Sequence, residues 1–292
     1  MKLDGLYTAL VTPMTADGKV DEKALRRLVD FQVEGGVHGL VPVGTTGESP
    51  TLDGAECKRV IQIVVEQARG RVPVIAGAGS NSTSEAIEYA RDAKEVGAAA
   101  TLQVAPYYNK PTNAGFLAHF RAIADAVDLP LVVYNIAGRT GKNIDNPTML
   151  ELAKHRNITA VKEASGDIGQ VMDLIAHKPA GFTVLSGDDN LVFPIMALGG
   201  RGVISVVSNL VPDRMAKFVN AALQGDWDGA RKMHYELLPL FKAMFIETNP
   251  IPIKAAMAMK GMMAEIYRLP MCPLAPKNRE SLQATLKELK VL

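Results

Sequence analysis

Eight short apolar runs recur along the chain at steps of 20–33 residues, and no other feature of the sequence narrows its fold as much. They are LYTALV (6–11), GLVPV (39–43), VPVIAG (72–77), TLQVAP (101–106), LVVYN (131–135), ITAVKE (158–163), FTVLSG (182–187) and GVISVV (202–207). None alternates apolar with polar as a half-exposed strand does, so each reads as a strand covered on both faces. The steps match the length of a βα unit. Eight such units in series predict an α/β fold, a (β/α)8 TIM barrel. An open doubly wound sheet is the alternative. It fits less well, because no GxGxxG follows the first run.

Helix-period segments fill the intervals. Residues 21–34 open with acids and stop at Gly35-Gly36. Residues 82–96 offer Thr83 or Ser84 as a cap and end at Gly97. Residues 116–126, 147–155 and 212–223 read in the same way. After Gly225 the covered strands cease, and Pro250, Pro252, Pro270, Pro273 and Pro276 break the remainder into pieces. The expected organisation is a catalytic barrel over residues 1–224 and a C-terminal helical region of about three helices over 225–292. The stretch AAMAMKGMM (255–263) reads as helical core, with an adaptable binding face as the competing reading.

Composition removes several functions. With 32 Lys+Arg against 31 Asp+Glu the net charge is +1, which argues against binding nucleic acid by phosphate neutralisation. No uncharged apolar run approaches the ~18–20 residues that span a bilayer. The start, MKLDGLYTALVTP, carries Asp4 and a proline-broken apolar stretch and reads as no secretory signal. Cys57 and Cys272 build neither a disulfide framework nor a zinc cluster. Cys57 reads as an ordinary helix residue and Cys272 as a packed small apolar group. The expectation is a cytoplasmic enzyme.

In a barrel, chemistry belongs at the carboxyl ends of the strands. There the sequence sets GTTGES (44–49), PYYNKP (106–111), YNIAGRTG (134–141), VKEASGD (161–167) and LSGDD (185–189). Lys162 is the sharpest signal. An ammonium at the end of a covered strand is desolvated, its pKa falls, and the free amine can attack a carbonyl to form a Schiff base. The competing reading is a lysine that snorkels to water or pairs with Glu163. Tyr134, one strand earlier, can shuttle protons beside such an amine or simply pack. Thr45 and Thr46 lie between Gly44 and Gly47, where a tight turn aims N–H groups and hydroxyls at an anion. Arg139, in a Gly-flanked loop, can grip a carboxylate in bidentate fashion or stand in solvent. Tyr107 and Tyr108 leave strand four to cap the site or stack at a subunit interface. Gly187-Asp188-Asp189 lacks the spaced histidines of a metal site. Gly199-Gly200-Arg201 keeps a phosphate turn open.

These motifs, in this order and spacing from about Gly5 to the C-terminus, resemble the pyruvate-dependent class I aldolase and lyase family, which includes N-acetylneuraminate lyase. GVISV and NPIPIK extend the match, and GRTG with Arg139 favours a synthase branch over the sialic acid and sugar-acid branches. The resemblance implies an imine between pyruvate and Lys162, then an enamine that attacks the aldehyde of aspartate-4-semialdehyde. It implies Tyr134, Thr45 and Tyr108 as a proton relay, Tyr108 reaching in from a neighbouring subunit. Thr46 and the backbone at Ile204 match the pyruvate-binding positions. Arg139 matches the residue near the second substrate's carboxylate, with Gly187 and Asp188 beside it. The imine is itself the electron sink, so neither metal nor organic cofactor is implied. A homotetramer, a dimer of tight dimers, is. An effector site for lysine would involve Ser49, Asn81, Glu85 and Tyr107. Pro50, Gly54 and Cys57 depart from the feedback-inhibited pattern, which implies weak or absent inhibition. The competing functions are a retro-aldol or sugar-acid lyase using the same imine and a non-catalytic binding paralogue. A phosphosugar isomerase using Glu163, Glu48 or Asp188 as base is more distant.

Overall fold

The apolar runs become strands because both their faces are covered. In the computed structural model, which describes residues 3–292, they form β1 (Gly5–Ala9), β2 (Gly39–Val41), β3 (Ile75–Gly77), β4 (Ala100–Val104), β5 (Leu131–Asn135), β6 (Ile158–Glu163), β7 (Thr183–Ser186) and β8 (Gly202–Ser205). Met1 and Lys2, the first residues of the expected barrel range, lie outside the described residues. All the strand pairs are parallel, in the order β2-β1-β8-β7-β6-β5-β4-β3. A parallel bridge between Leu40 and Val74 joins β2 to β3 and closes the cylinder. Pairing of β1 with β8 excludes the open doubly wound sheet.

Side chains alternate across the wall. Tyr7, Val41, Ile75, Leu102, Val132, Tyr134, Leu185 and Ile204 fill the interior. Leu6, Leu40, Val133, Val161, Val184 and Val203 face outward into the core beneath the helices. Hence the missing polar alternation. The seam between β1 and β8 needs glycine: a Cβ on Gly202 would sit 2.0 Å from the Gly5 carbonyl oxygen.

The helices start where side-chain caps permit. Asp21 caps Glu22–Glu34, and Asp53 with Glu56 forms a capping box at Gly54–Ala68. Ser82, rather than Thr83 or Ser84, caps Thr83–Glu95. Thr112 starts Asn113–Ala126 a turn before the expected Phe116, and Asp145 starts Asn146–Leu152. Three helices follow Gly225: Trp227–Ala243, Ile251–Met259 and Pro276–Glu288. Met257 is buried, and Met259, Met262 and Met263 pack against the core, so the methionine stretch is packing material.

Two further expectations fail. Gly199-Gly200-Arg201 precedes β8 and lies at the amino end of the barrel, where Arg201 pairs with Asp4 at 2.8 Å, far from any rim site. Cys272 is exposed, not packed, because the proline-flanked segment 270–273 runs outside any helix or strand. Among the described residues no helix is long and apolar enough to cross a membrane.

Candidate active site

Strand register brings the first two candidates together. Tyr134 on β5 pairs with Lys162 on β6, so both side chains enter the barrel at one level. The Lys162 Nζ stands 4.1 Å from the centroid of the Tyr134 ring. Glu163, the next residue, points outward. It accepts from the Ser165 N–H at 2.7 Å and from Asn135 Nδ2 at 3.2 Å. It therefore cannot be the partner of Lys162, whose side chain is neither snorkelled nor paired to it.

Lys162 is 6% exposed and, among the described residues, has no carboxylate within ion-pair distance. Burial lowers its pKa from the ordinary 10.5 to about 8, although the charges of Asp188 and Asp189 pull it up. Arg139 adds to the lowering. The Tyr134 phenol is pushed well above its ordinary range, by burial first and then by Asp188. A hydrogen bond with the Thr45 side chain opposes this. The phenol therefore stays neutral and can donate.

Strands β7 and β8 continue the wall next to β6. Gly187 supplies room: a Cβ there would lie 2.6 Å from that of Ala164 and 3.2 Å from Lys162 Cε. Asp188 is driven up to about 6, mostly by burial, with Lys162 opposing. Asp189 is buried and accepts from the Val206 and Val207 N–H groups at 3.0 Å each, tying the β8 end in place. Ile204 closes the floor as a buried interior residue of β8.

The glycine-bounded turn comes from the second strand. Thr45–Gly47 forms one 3-10 turn, with Thr46 buried. Thr12 Oγ1 donates to the Gly47 carbonyl at 2.7 Å. Thr46 Oγ1 accepts from Asn249 Nδ2 at 3.0 Å, and the Asn249 carbonyl accepts from Arg139 Nη2 at 3.2 Å. Arg139 rides on a single helical turn, Ala137–Thr140.

The structure thus gathers Lys162, Tyr134, Thr45, Thr46, Arg139, Gly187, Asp188 and Ile204 at the carboxyl ends of the strands. It does not bring Tyr108 to them. That side chain is 90% exposed, on a backbone with φ of 71°, a conformation L-residues rarely take. Ser49, Glu85 and Tyr107 line a cleft of about 430 Å³ with Pro50 and Cys57. The cleft runs inward to Thr45 and Arg139. Asn81 does not line it. Asn81 Nδ2 donates to the Tyr107 carbonyl at 3.1 Å and so fixes the tyrosine loop. Gly54 is also absent from the lining. Asn249 and Lys254, both within NPIPIK, are functional neighbours whose contacts to the turn the sequence did not disclose. A lysine inside the apolar run IPIKAAMAM was the available signal.

This arrangement offers an amine that is partly free at neutral pH, a neutral phenol beside it, and hydroxyl and guanidinium donors for carboxylates. It is suited to imine chemistry on a keto acid.

The sequence matches the Dihydrodipicolinate synthetase family over residues 2–289. It is 54% identical to the 4-hydroxy-tetrahydrodipicolinate synthase of Koribacter versatilis, covering 100% of this chain and 98% of that one. Its fold superposes with a TM-score of 0.98 on the chloride-inhibited dihydrodipicolinate synthase of Acinetobacter baumannii complexed with pyruvate, 42% identical, covering 100% of each chain. The dihydrodipicolinate synthase of Cyanidioschyzon merolae with lysine bound is 39% identical, with a TM-score of 0.96 and 99% of each chain covered.

Proposed function

The chain belongs to the dihydrodipicolinate synthetase family, and on that premise we propose that it joins pyruvate to L-aspartate-4-semialdehyde through an imine on Lys162. The product is 4-hydroxy-tetrahydrodipicolinate, in lysine and diaminopimelate biosynthesis. The free amine of Lys162 adds to the pyruvate carbonyl and expels one water. Loss of a methyl proton gives the enamine, whose carbon attacks the aldehyde. The amine of the second substrate then closes the ring on the imine carbon and releases Lys162. Tyr134 and Thr45 carry protons, Thr46 and the Ile204 backbone hold the pyruvate, and Arg139 takes the second carboxylate with Gly187 and Asp188 alongside. The observation that carries this reading is the buried, unpaired Lys162 against the Tyr134 ring. Borohydride reduction in the presence of pyruvate, followed by peptide mapping, should put the adduct on Lys162. An adduct elsewhere, or turnover with sugar aldehydes in place of the semialdehyde, would overturn it.

Tyr108 completes the relay from a second copy of the chain, in a homotetramer built as a dimer of dimers. Its exposure and strained backbone support this, since a cost at φ of 71° persists where another contact offsets it. A fully active monomer in sedimentation would refute it. The division between residues 1–224 and 225–292 is then one of chain order more than of role, because Asn249 already reaches Thr46. The exposed free thiol of Cys272 suits a reducing, cytoplasmic setting. The cleft at Ser49, Glu85 and Tyr107, with Asn81 bracing its tyrosine loop, is the effector site. Pro50 and Cys57 on its wall, and Gly54 nearby, offer it no imidazole and few polar side-chain contacts, so lysine inhibits weakly or not at all. Inhibition by micromolar lysine would contradict this.

A further inference from the structure

The barrel mouth contains a second buried lysine, which the reaction above does not use. Lys254 lies on Ile251–Met259 with a side chain 0% exposed, and its Nζ donates to Glu48 Oε1, itself 1% exposed. The pair joins residues 206 apart in sequence. Glu48 sits in the left-handed region, φ 57°, as the residue that ends the Thr45–Gly47 turn and begins the turn Ser49–Thr51. Its other oxygen accepts from the Arg268 N–H at 3.3 Å. The Arg268 guanidinium is held in turn by the Gly18 carbonyl at 2.9 Å and by Glu56. The Tyr267 ring covers the ammonium, 5.3 Å from its centroid.

We propose that Lys254 and Glu48 form a clamp that sets the Thr45–Thr46 turn at the distance from Lys162 that the keto acid needs, which makes both positioning residues. The inference rests on the reading that Thr46 binds pyruvate. Three observations carry it. The clamp grips the turn at its last residue, where the left-handed backbone has no glycine to relieve it. The same C-terminal segment holds the turn a second time, through Asn249 and the Thr46 hydroxyl. That Asn249 also accepts from Arg139, so a single segment sets both proposed carboxylate-binding groups. A buried ion pair is a poor device for stability, since a well-packed neutral pair of like volume is often as stable. It is a directional device, because an ammonium and a carboxylate fix one another's position where apolar groups would slide.

The test is the neutral, near-isosteric double variant Glu48→Gln/Lys254→Met, in the full-length chain. Expected is a melting temperature within a few degrees of the parent. The KM for pyruvate should rise about tenfold or more, and the rate of borohydride-trappable adduct formation at fixed pyruvate should fall in step. Glu48→Asp keeps the charge but shortens the reach by one methylene, and it should raise the KM in the same direction with the fold intact. That single variant answers the question should the double one fail to fold. A parental KM and trapping rate in folded Glu48→Asp, or in the folded double variant, overturns the clamp and leaves the imine reading standing. Failure of the unsubstituted chain to trap pyruvate at Lys162 removes both.

Discussion

Lys162 and Lys254 are the same residue, both buried near the barrel mouth, and they have opposite chemistry. Burial lowers the pKa of each. Lys254 has Glu48 in direct contact, which offsets the loss of water. Lys162 has an aromatic face at 4.1 Å and carboxylates only beyond ion-pair distance, so its pKa stays near 8. At pH 7 an amine of pKa 8 is free in about one molecule in ten, against about one in three thousand at the ordinary 10.5. The difference teaches that burial alone does not make a nucleophile. What matters is burial without a counter-charge.

Replacing each lysine by methionine puts that contrast at risk. Lys162→Met should lose at least about 10³-fold in turnover and all trapping of pyruvate, with no loss of stability. In the parent, the folded chain has released this proton above pH 8 while the unfolded chain holds it to about 10.5. Stability therefore rises with pH between those values. Below pH 8 the full penalty, about 3 kcal/mol, is present, and the variant should be relieved of it. Urea titrations at pH 7 and 10 would show the slope flattened in the variant. An unchanged slope would mean that the amine is solvated after all.

Lys254→Met should do the reverse to stability. It leaves the Glu48 carboxylate buried and unpaired, a loss of about 3–5 kcal/mol in the same titration. If the two variants were equally unstable, the distinction between paired and unpaired burial would fail. The finest adjustment is Asp188→Asn. Asp188 pulls the Lys162 pKa upward, so its neutralisation should move the pH midpoint of adduct formation below 8. A midpoint that moved up would reverse the assigned sign.

The strands were legible because a wall covered on both sides leaves continuous apolar runs, with Leu6 and Leu40 outside and Tyr7 and Val41 inside. Their ends were less so. The run 6–11 overshoots β1, which ends at Ala9, because the chain stays apolar as it leaves the sheet. Lys162, Tyr134 and the Thr45–Thr46 turn were readable because each breaks a local pattern. Gly199-Gly200-Arg201 misled because a glycine pair looks alike at either end of a barrel. The clamp and the Asn249 contact were invisible because they join residues more than 200 apart, and no local spacing encodes such a pairing. Even so, IPIKAAMAM held a charge in apolar company, the same irregularity that singled out Lys162.

On the proposal that Tyr108, 90% exposed on its own chain, is lent to a neighbour, damage in this enzyme becomes divisible. A chain without Lys162 can still lend its tyrosine, and a chain without Tyr108 can still offer its amine. Hybrids of two crippled parents would then each carry one whole centre, and mixing them would restore activity that neither parent has alone.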